Sequence, residues 1–252
     1  MSTGCMKNQR ELVFLILLLM EGKAYRLKET TLRETGLSAL QGLLNPFAYY
    51  LLIFKSYSLL PAQVAQPANF VWPVVLMLLS VPLLKQPLRL SNVAALLISF
   101  AGVLILSSQG NLANFSIVQP LGIGMALSSS LVWSLFWIVN LKDNRDNLVK
   151  LFLGSLFSLL YIFTLACFTG DLAPVFTTPN LAAVYIGLFE MGIPFVFWLK
   201  ALQLSESTGR IANFIYLTPF ISLIFIHLIL HEELLYTSFI GLCLIVGGIL
   251  VG

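Results

Sequence analysis

Long apolar runs broken by short charged clusters set the rhythm of this chain. The first run, residues 12–20, holds nine apolar residues and stops at Glu21, Gly22 and Lys23. A membrane-crossing helix needs about 20 residues to cover about 30 Å of hydrocarbon, so this run is too short to cross alone. A charged stretch, 21–35, follows. Eight apolar segments of spanning length come next, at about residues 36–54, 63–84, 90–107, 120–140, 148–169, 181–202, 210–230 and 234–251. Backbone groups in hydrocarbon find no water, so each segment is expected to satisfy its own as a helix. A closed barrel would need period-two alternation, which runs such as LVFLILLLM and VVLMLLSV lack. The expected fold is an all-α polytopic membrane bundle with eight full spans plus a short N-terminal helix. A signal peptide is the rival reading of the first run, with Lys7 and Arg10 before it. The following Glu-Gly-Lys-Ala-Tyr-Arg is charged from its first residue, and a helix fragment is the favoured reading.

Composition agrees with lipid as the main solvent. Of 252 residues, 58% are hydrophobic and 10% charged, where a soluble domain carries about 25% charged residues. The connections at 21–35, 85–89, 141–150 and 200–210 hold four, two, three and two Lys or Arg, while the alternate connections hold Lys55 alone. By the positive-inside rule the basic set is cytoplasmic, and with it the C-terminus, in a cell inner (plasma) membrane. Cys5, Cys167 and Cys243 form no spaced set and imply neither a disulfide framework nor a zinc site.

Two stretches, 55–106 and 200–251, carry the same landmarks in the same order. Each has a Lys (Lys55, Lys200), then Ala-Asn-Phe with Asn69 or Asn213 at its centre, then an intrahelical proline (Pro73, Pro219). A polar turn before Leu88 or Leu234 and a late glycine (Gly102, Gly248) complete the set. Landmark order of this kind marks an internal repeat. Five expected spans separate the two Lys residues. An odd number sends the copies across the membrane in opposite directions, a common plan of secondary transporters with a substrate site near midplane.

The runs ANFVWP (68–73), QPL (86–88) with AGVLIL after it, WLKALQLSESTGRIANFIYLTPF (198–220) and HEEL (231–234) resemble the EamA family of the drug/metabolite transporter superfamily. That resemblance implies two five-helix repeats with both ends cytoplasmic, here as 10–107 and 119–252. The first repeat is then truncated, since residues 10–20 line up with the family's second helix. The family usually shows Glu-Pro-Leu in the turn. Here the first copy has Gln86, and the second has Glu233 where proline would stand.

Several polar and aromatic residues are candidates for a substrate pathway. Glu190 falls near the middle of 181–202, where a carboxylate is costly and normally faces a cavity or partner. It could bind a cation or carry a coupling proton; a hydrogen-bonded structural carboxyl is the plainer reading. Asn69 and Asn213 open the stretches that end at Pro73 and Pro219. Each proline removes a backbone donor, bends its helix and leaves carbonyls free to face water or substrate. Helix-to-helix glue is the plainer reading of the two amides. Trp72 and Tyr216 stand beside the bends. Ser130, Trp133, Trp137 and Asn140 share one helical stripe, and Gln41, Asn45 and Tyr49 share another. A stripe mixing aromatic and amide groups suits amphipathic or aromatic metabolites, although Trp near a helix end also serves as an interface anchor. Lys55, Lys200 and Arg210 near helix ends are expected to snorkel. Gly248-x-x-x-Gly252 fits a close helix contact, on which a second copy could pack as a homodimer.

Other chemistries are disfavoured. His227 and His231 lie four apart, but Leu235 stands where a second His of HExxH would be, so no metal is expected. No phosphate-cradling loop, nucleophile elbow or Ser/His/Asp set appears, so no ATP, no other cofactor, no enzyme activity and no nucleic-acid partner are expected. Glu190 with His227 is the best pair for an intramembrane enzyme, at different depths. The sequence therefore reads as a secondary transporter, an exporter of small organic metabolites such as amino acids or amphipathic compounds by alternating access. The alternative is a transport-incompetent membrane protein of the same fold.

Overall fold

The structure, a computed structural model, describes residues 3–60, 62–107, 119–170, 185, 187–219, 221, 225, 228 and 236–251. Among these residues there are helices and turns and no strand. The helices are α1 (Thr3–Met20), α2 (Leu32–Gly42), α3 (Tyr49–Leu59), α4 (Ala62–Asn69), α5 (Trp72–Leu84), α6 (Leu90–Ser107), α7 (Pro120–Lys142), α8 (Asn147–Thr169), α9 (Ile193–Leu204), α10 (Thr208–Asn213) and α11 (Tyr236–Val251). Among the described residues, four helical stretches are long and apolar enough to cross a membrane: Leu32–Leu59, Val64–Leu84, Pro120–Lys142 and Asn147–Thr169. Shorter apolar helices cover Glu11–Met20, Leu90–Ile105, Ile193–Leu204 and Phe239–Val251. The turn at 231–233, with His231, lies outside the described residues, as does His227.

The first apolar run belongs to a helix that begins well before it, at Thr3. The 36–54 segment is longer than expected and not straight. α2 and α3 are joined by a wide turn, Leu43–Ala48, in which Asn45 is fully extended (φ −145°, ψ 127°) ahead of Pro46. Proline has no N–H to continue the ladder, so the helix opens there. The α2 start is firm. Thr31 and Glu34 form a reciprocal cap, the Thr31 N–H donating to the Glu34 carboxylate at 2.8 Å, an arrangement worth about 1 kcal/mol. The second long stretch also breaks, between Asn69 and Trp72. The 210–230 segment opens as the short α10 followed by one tight turn, Phe214–Tyr216.

The chain divides into two compact units. Unit 1 contains residues 1–49 and 139–204, and unit 2 contains residues 50–138 and 205–252. In unit 1, α2 packs along α8 through small residues. A Cβ on Gly42 would run into the Gly154 carbonyl oxygen and come within 2.8 Å of the Ser158 nitrogen. In unit 2, α6 packs along α11 in the same manner. Gly102 faces Ile245, and Gly248 faces Ser99 and the Ala95 carbonyl. Without a hydrophobic drive between helices in lipid, close backbone approach of this kind supplies dispersion contact. Gly248 thus makes its close contact inside the chain. The unit 2 core gathers Met77, Leu96, Val103, Tyr216 and Ile245.

Lys55, Lys200 and Arg210 are exposed.

Candidate functional site

The break between α4 and α5 gathers buried polar residues of unit 2, Asn69, Ser129, Ser130 and Ser134. Pro73 cannot donate to the Asn69 carbonyl four residues back. The Ser130 hydroxyl from α7 donates to it instead at 2.7 Å. The Phe70 carbonyl accepts from the Tyr216 hydroxyl at 3.1 Å, and the Trp72 carbonyl accepts from Ser134 at 2.9 Å. In this conformation the carbonyls at 69, 70 and 72 are each held by a hydroxyl. An unmet carbonyl in hydrocarbon costs more than a neighbouring serine does, and hydroxyls on facing helices are the usual remedy. Sequence reading named Ser130 but missed Ser129 and Ser134. The signal was the run Ser128-Ser129-Ser130 with Ser134 one turn on, in an otherwise apolar helix.

Side chains close the seam. The Asn69 amide donates to Ser129 at 2.8 Å, and the Asn213 amide donates to the Gly248 carbonyl at 3.1 Å. Asn69 is 8% exposed and Asn213 2%, so both face protein. Tyr216 is fully buried, with its ring against Phe70 and Phe100 at 6.4 and 6.2 Å between centroids. Trp72 meets Trp133 edge-on at 6.2 Å, and Trp133 meets Trp137 at 5.9 Å. Trp133 is half-buried, whereas Trp137 is 1% exposed and sits in the interior, where an interface anchor would not. One region of unit 2 therefore brings together Asn69, Trp72, Pro73, Trp133 and Tyr216. Pro219 lies in the helical residues just after the tight turn at Phe214–Tyr216.

Unit 1 holds the other candidates. Asn45 is 1% exposed, and neither end of its amide has a hydrogen-bond partner among the described residues. Tyr49, one turn on, is half-buried. The backbone of Glu190 lies in a second wide helical turn, Gly187–Gly192, and its side chain lies outside the described residues. Wide turns inside helices occur frequently at functional sites. Asn45 and Glu190 each sit in one.

Sequence reading also missed a buried charge network at the α7–α8 turn. The Arg145 guanidinium clasps the Asp143 carboxylate at 2.6 Å and donates to Ser38 at 2.9 Å. The Gln41 amide donates to the same carboxylate at 3.0 Å. Lys150 is fully buried and donates to the Asn140 and Asp143 carbonyls, both at 2.8 Å. A cation on the last carbonyls of a helix is favourable. Burial alone would push the Asp143 carboxyl up, but the Arg145 hydrogen bonds outweigh it and hold Asp143 below the usual range. Asp146 caps α8 through the Leu148 N–H and pairs with Lys23 at 2.8 Å. Burial opposes its ionisation too, and Lys23 together with the capping bond lowers it overall. Beside this network is a cleft of about 370 Å³, lined in part by Arg26, Glu34, Asn144 and Arg145.

Residues 11–108 and 120–251 each match the profile of the EamA-like transporter family. The chain belongs to the EamA-like transporter family. Like other EamA-like transporters it is a multi-pass membrane protein and a membrane transporter. It is 27% identical over 232 residues to the uncharacterized transporter YvbV of Bacillus subtilis (strain 168), covering 89% of this chain and 74% of that protein. An uncharacterized transporter of Archaeoglobus fulgidus is 26% identical over 175 residues, covering 66% of this chain and 59% of the relative. A protein solved by crystallography superposes with a TM-score of 0.81 at 21% identity, over 99% of this EamA-like chain and 86% of that one. That likeness concerns the fold alone.

Proposed function

We propose that this EamA-like chain is a secondary transporter that exports small organic metabolites, such as amino acids or amphipathic compounds, by alternating access. Its repeats would be 10–107 and 119–252, inverted across an inner membrane with the C-terminus cytoplasmic. The observation that carries the reading is the α4–α5 break. Its backbone is held by the hydroxyls of Ser130, Ser134 and Tyr216, and it is flanked by Trp72 and Trp133. Hydroxyl donors can exchange a carbonyl for a substrate group at little cost. The two indoles supply flat apolar surface for an amphipathic body. Asn45, Tyr49, Glu190 and Asn213 complete the pathway in this reading, with Glu190 carrying the coupling proton. A second reading, a protein of this fold that moves nothing, is favoured by the amides of Asn69 and Asn213 being engaged in helix contacts.

A toxicity screen against a panel of amino acids and drugs separates the two. Expression in an export-deficient host is expected to raise tolerance to at least one compound. Trp133→Ala and Glu190→Gln should each abolish that gain with protein levels in the membrane unchanged. Tolerance to no compound would favour the second reading. A gain that survives Glu190→Gln would remove Glu190 from the mechanism.

A further inference from the structure

The start of α10 is held by a residue 122 positions away in sequence. Ser207, which precedes the helix, makes no side-chain capping bond of its own. Its hydroxyl instead accepts from the Asn92 amide at 2.9 Å. The cap comes from Gln86, in the turn between α5 and α6. Its carbonyl oxygen accepts from both the Thr208 N–H at 3.1 Å and the Thr208 hydroxyl at 3.0 Å. Behind them the Ser80 hydroxyl lies 2.6 Å from the Thr208 hydroxyl. The Ser80 carbonyl in turn accepts from the Gln86 N–H at 3.3 Å, which closes the loop of contacts. Thr208 is fully buried and Ser80 1% exposed, whereas Gln86 is half-buried. One residue on, Gly209 packs directly on Met77, so that an added Cβ would lie 2.8 Å from the Met77 Cγ.

The same short α10 ends at Asn213 and leads into Tyr216, whose hydroxyl holds the Phe70 carbonyl at the α4–α5 break. Its free first-turn N–H groups would otherwise be unsatisfied. We propose that Gln86 and Thr208 form a catch that holds α10 against α5, and that the catch must release for the transport pathway to open. Gln86 is thus a positioning residue, acting on the break through α10. Ser80 and Asn92 support it by engaging Thr208 and Ser207. This proposal rests on the transporter reading and deepens it. A small number of neutral hydrogen bonds suits a part that must open and close, since each contributes about 1 kcal/mol net. Elements that move in a transport cycle are drawn from the less stable parts of a fold.

The test is the reactivity of a single cysteine under the catch. Cys5, Cys167 and Cys243 are replaced by serine, Met77→Cys is introduced, and the protein is placed in lipid nanodiscs with a water-soluble maleimide. Met77 is 4% exposed, so labelling should be slow with native Gln86. Gln86→Ala and, separately, Thr208→Val should speed it about fivefold, the factor that follows from one lost hydrogen bond of about 1 kcal/mol. Gln86→Glu, which keeps an acceptor for both Thr208 donors, should label within about twofold of the parent. A residue that only stabilises the fold would lower the melting point without this pattern of labelling well below melting. Unchanged labelling in both Gln86→Ala and Thr208→Val overturns the catch. The tolerance screen separates this outcome from failure of the transporter reading. A protein that confers tolerance but shows no change in labelling is a transporter without the catch. One that confers none yet labels as expected has the catch without the transport.

Discussion

Replacing Asp143 with alanine is expected to destabilise the protein by about 3 kcal/mol or more, one of the two largest effects of any single change considered. The side chains of Asp143 and Arg145 are 3% and 9% exposed. Removing the carboxylate leaves a guanidinium largely buried, with Ser38 among its remaining partners, and orphans the Gln41 amide. Breaking a buried ion pair from one side costs about 3–5 kcal/mol, because the survivor is still desolvated. Thermal melting in detergent reads the loss. The double change Asp143→Leu with Arg145→Met should recover part of it, since the guanidinium goes with its carboxylate while Lys150 keeps its two backbone carbonyls. A melting point unchanged by Asp143→Ala would show that water reaches Arg145 freely. The same network sets an acid limit. Asp143 and Asp146 both ionise more readily folded than unfolded. Their contribution is therefore complete above the unfolded carboxylate range, about pH 4, and is lost as pH falls through the lower folded values. Stability should hold from pH 7 to about 5 and drop below about 4, and less steeply in the double variant.

The second large effect is Gly42→Ala, which should cost about 2 kcal/mol or more, at the upper part of the range for overpacking. The added methyl meets the Gly154 carbonyl oxygen and the Ser158 nitrogen at 2.8 Å, both backbone atoms that no rotamer change can move. α2 and α8 would have to separate along the seam that also carries the Tyr161 hydroxyl to the Ala39 carbonyl. Gly36 lies on the same helix with nothing within 4 Å of an added Cβ. There the same substitution should stabilise by up to about 1 kcal/mol through helix propensity alone. Opposite signs for one chemical change on one helix distinguish packing from propensity. Equal effects at Gly36 and Gly42 would deny the close α2–α8 contact.

The sequence announced what depends on long-range averages. Apolar runs of spanning length gave the helices, and the pairing of Asn69 with Pro73 located the broken backbone. Aromatic spacing placed Trp133 and Trp137 on one stripe, with Trp137 as buried as its neighbours. What stayed hidden depends on which polar group meets which. Nothing in a count of basic residues separates Lys150, wholly buried on two carbonyls, from exposed Lys55. Lys150 stands one turn inside an apolar helix, and that position is the trace it leaves in the sequence. The departure at Gln86 was visible, but its partner Thr208 lies far along the chain and could not be named without the fold. The stripe through Gln41, Asn45 and Tyr49 presumed an unbroken helix; the extended backbone at Asn45 follows from Pro46, which the apolar pattern concealed.

The most direct test is two-sided access to the α4–α5 break. A single cysteine at Asn69, with the other cysteines replaced, is exposed to a membrane-impermeant thiol reagent from one face and then the other in sealed vesicles of known orientation. An alternating carrier predicts reaction from both faces, with any transported compound slowing one rate and speeding the other. Reaction from one face only, or from neither, under every condition would contradict it.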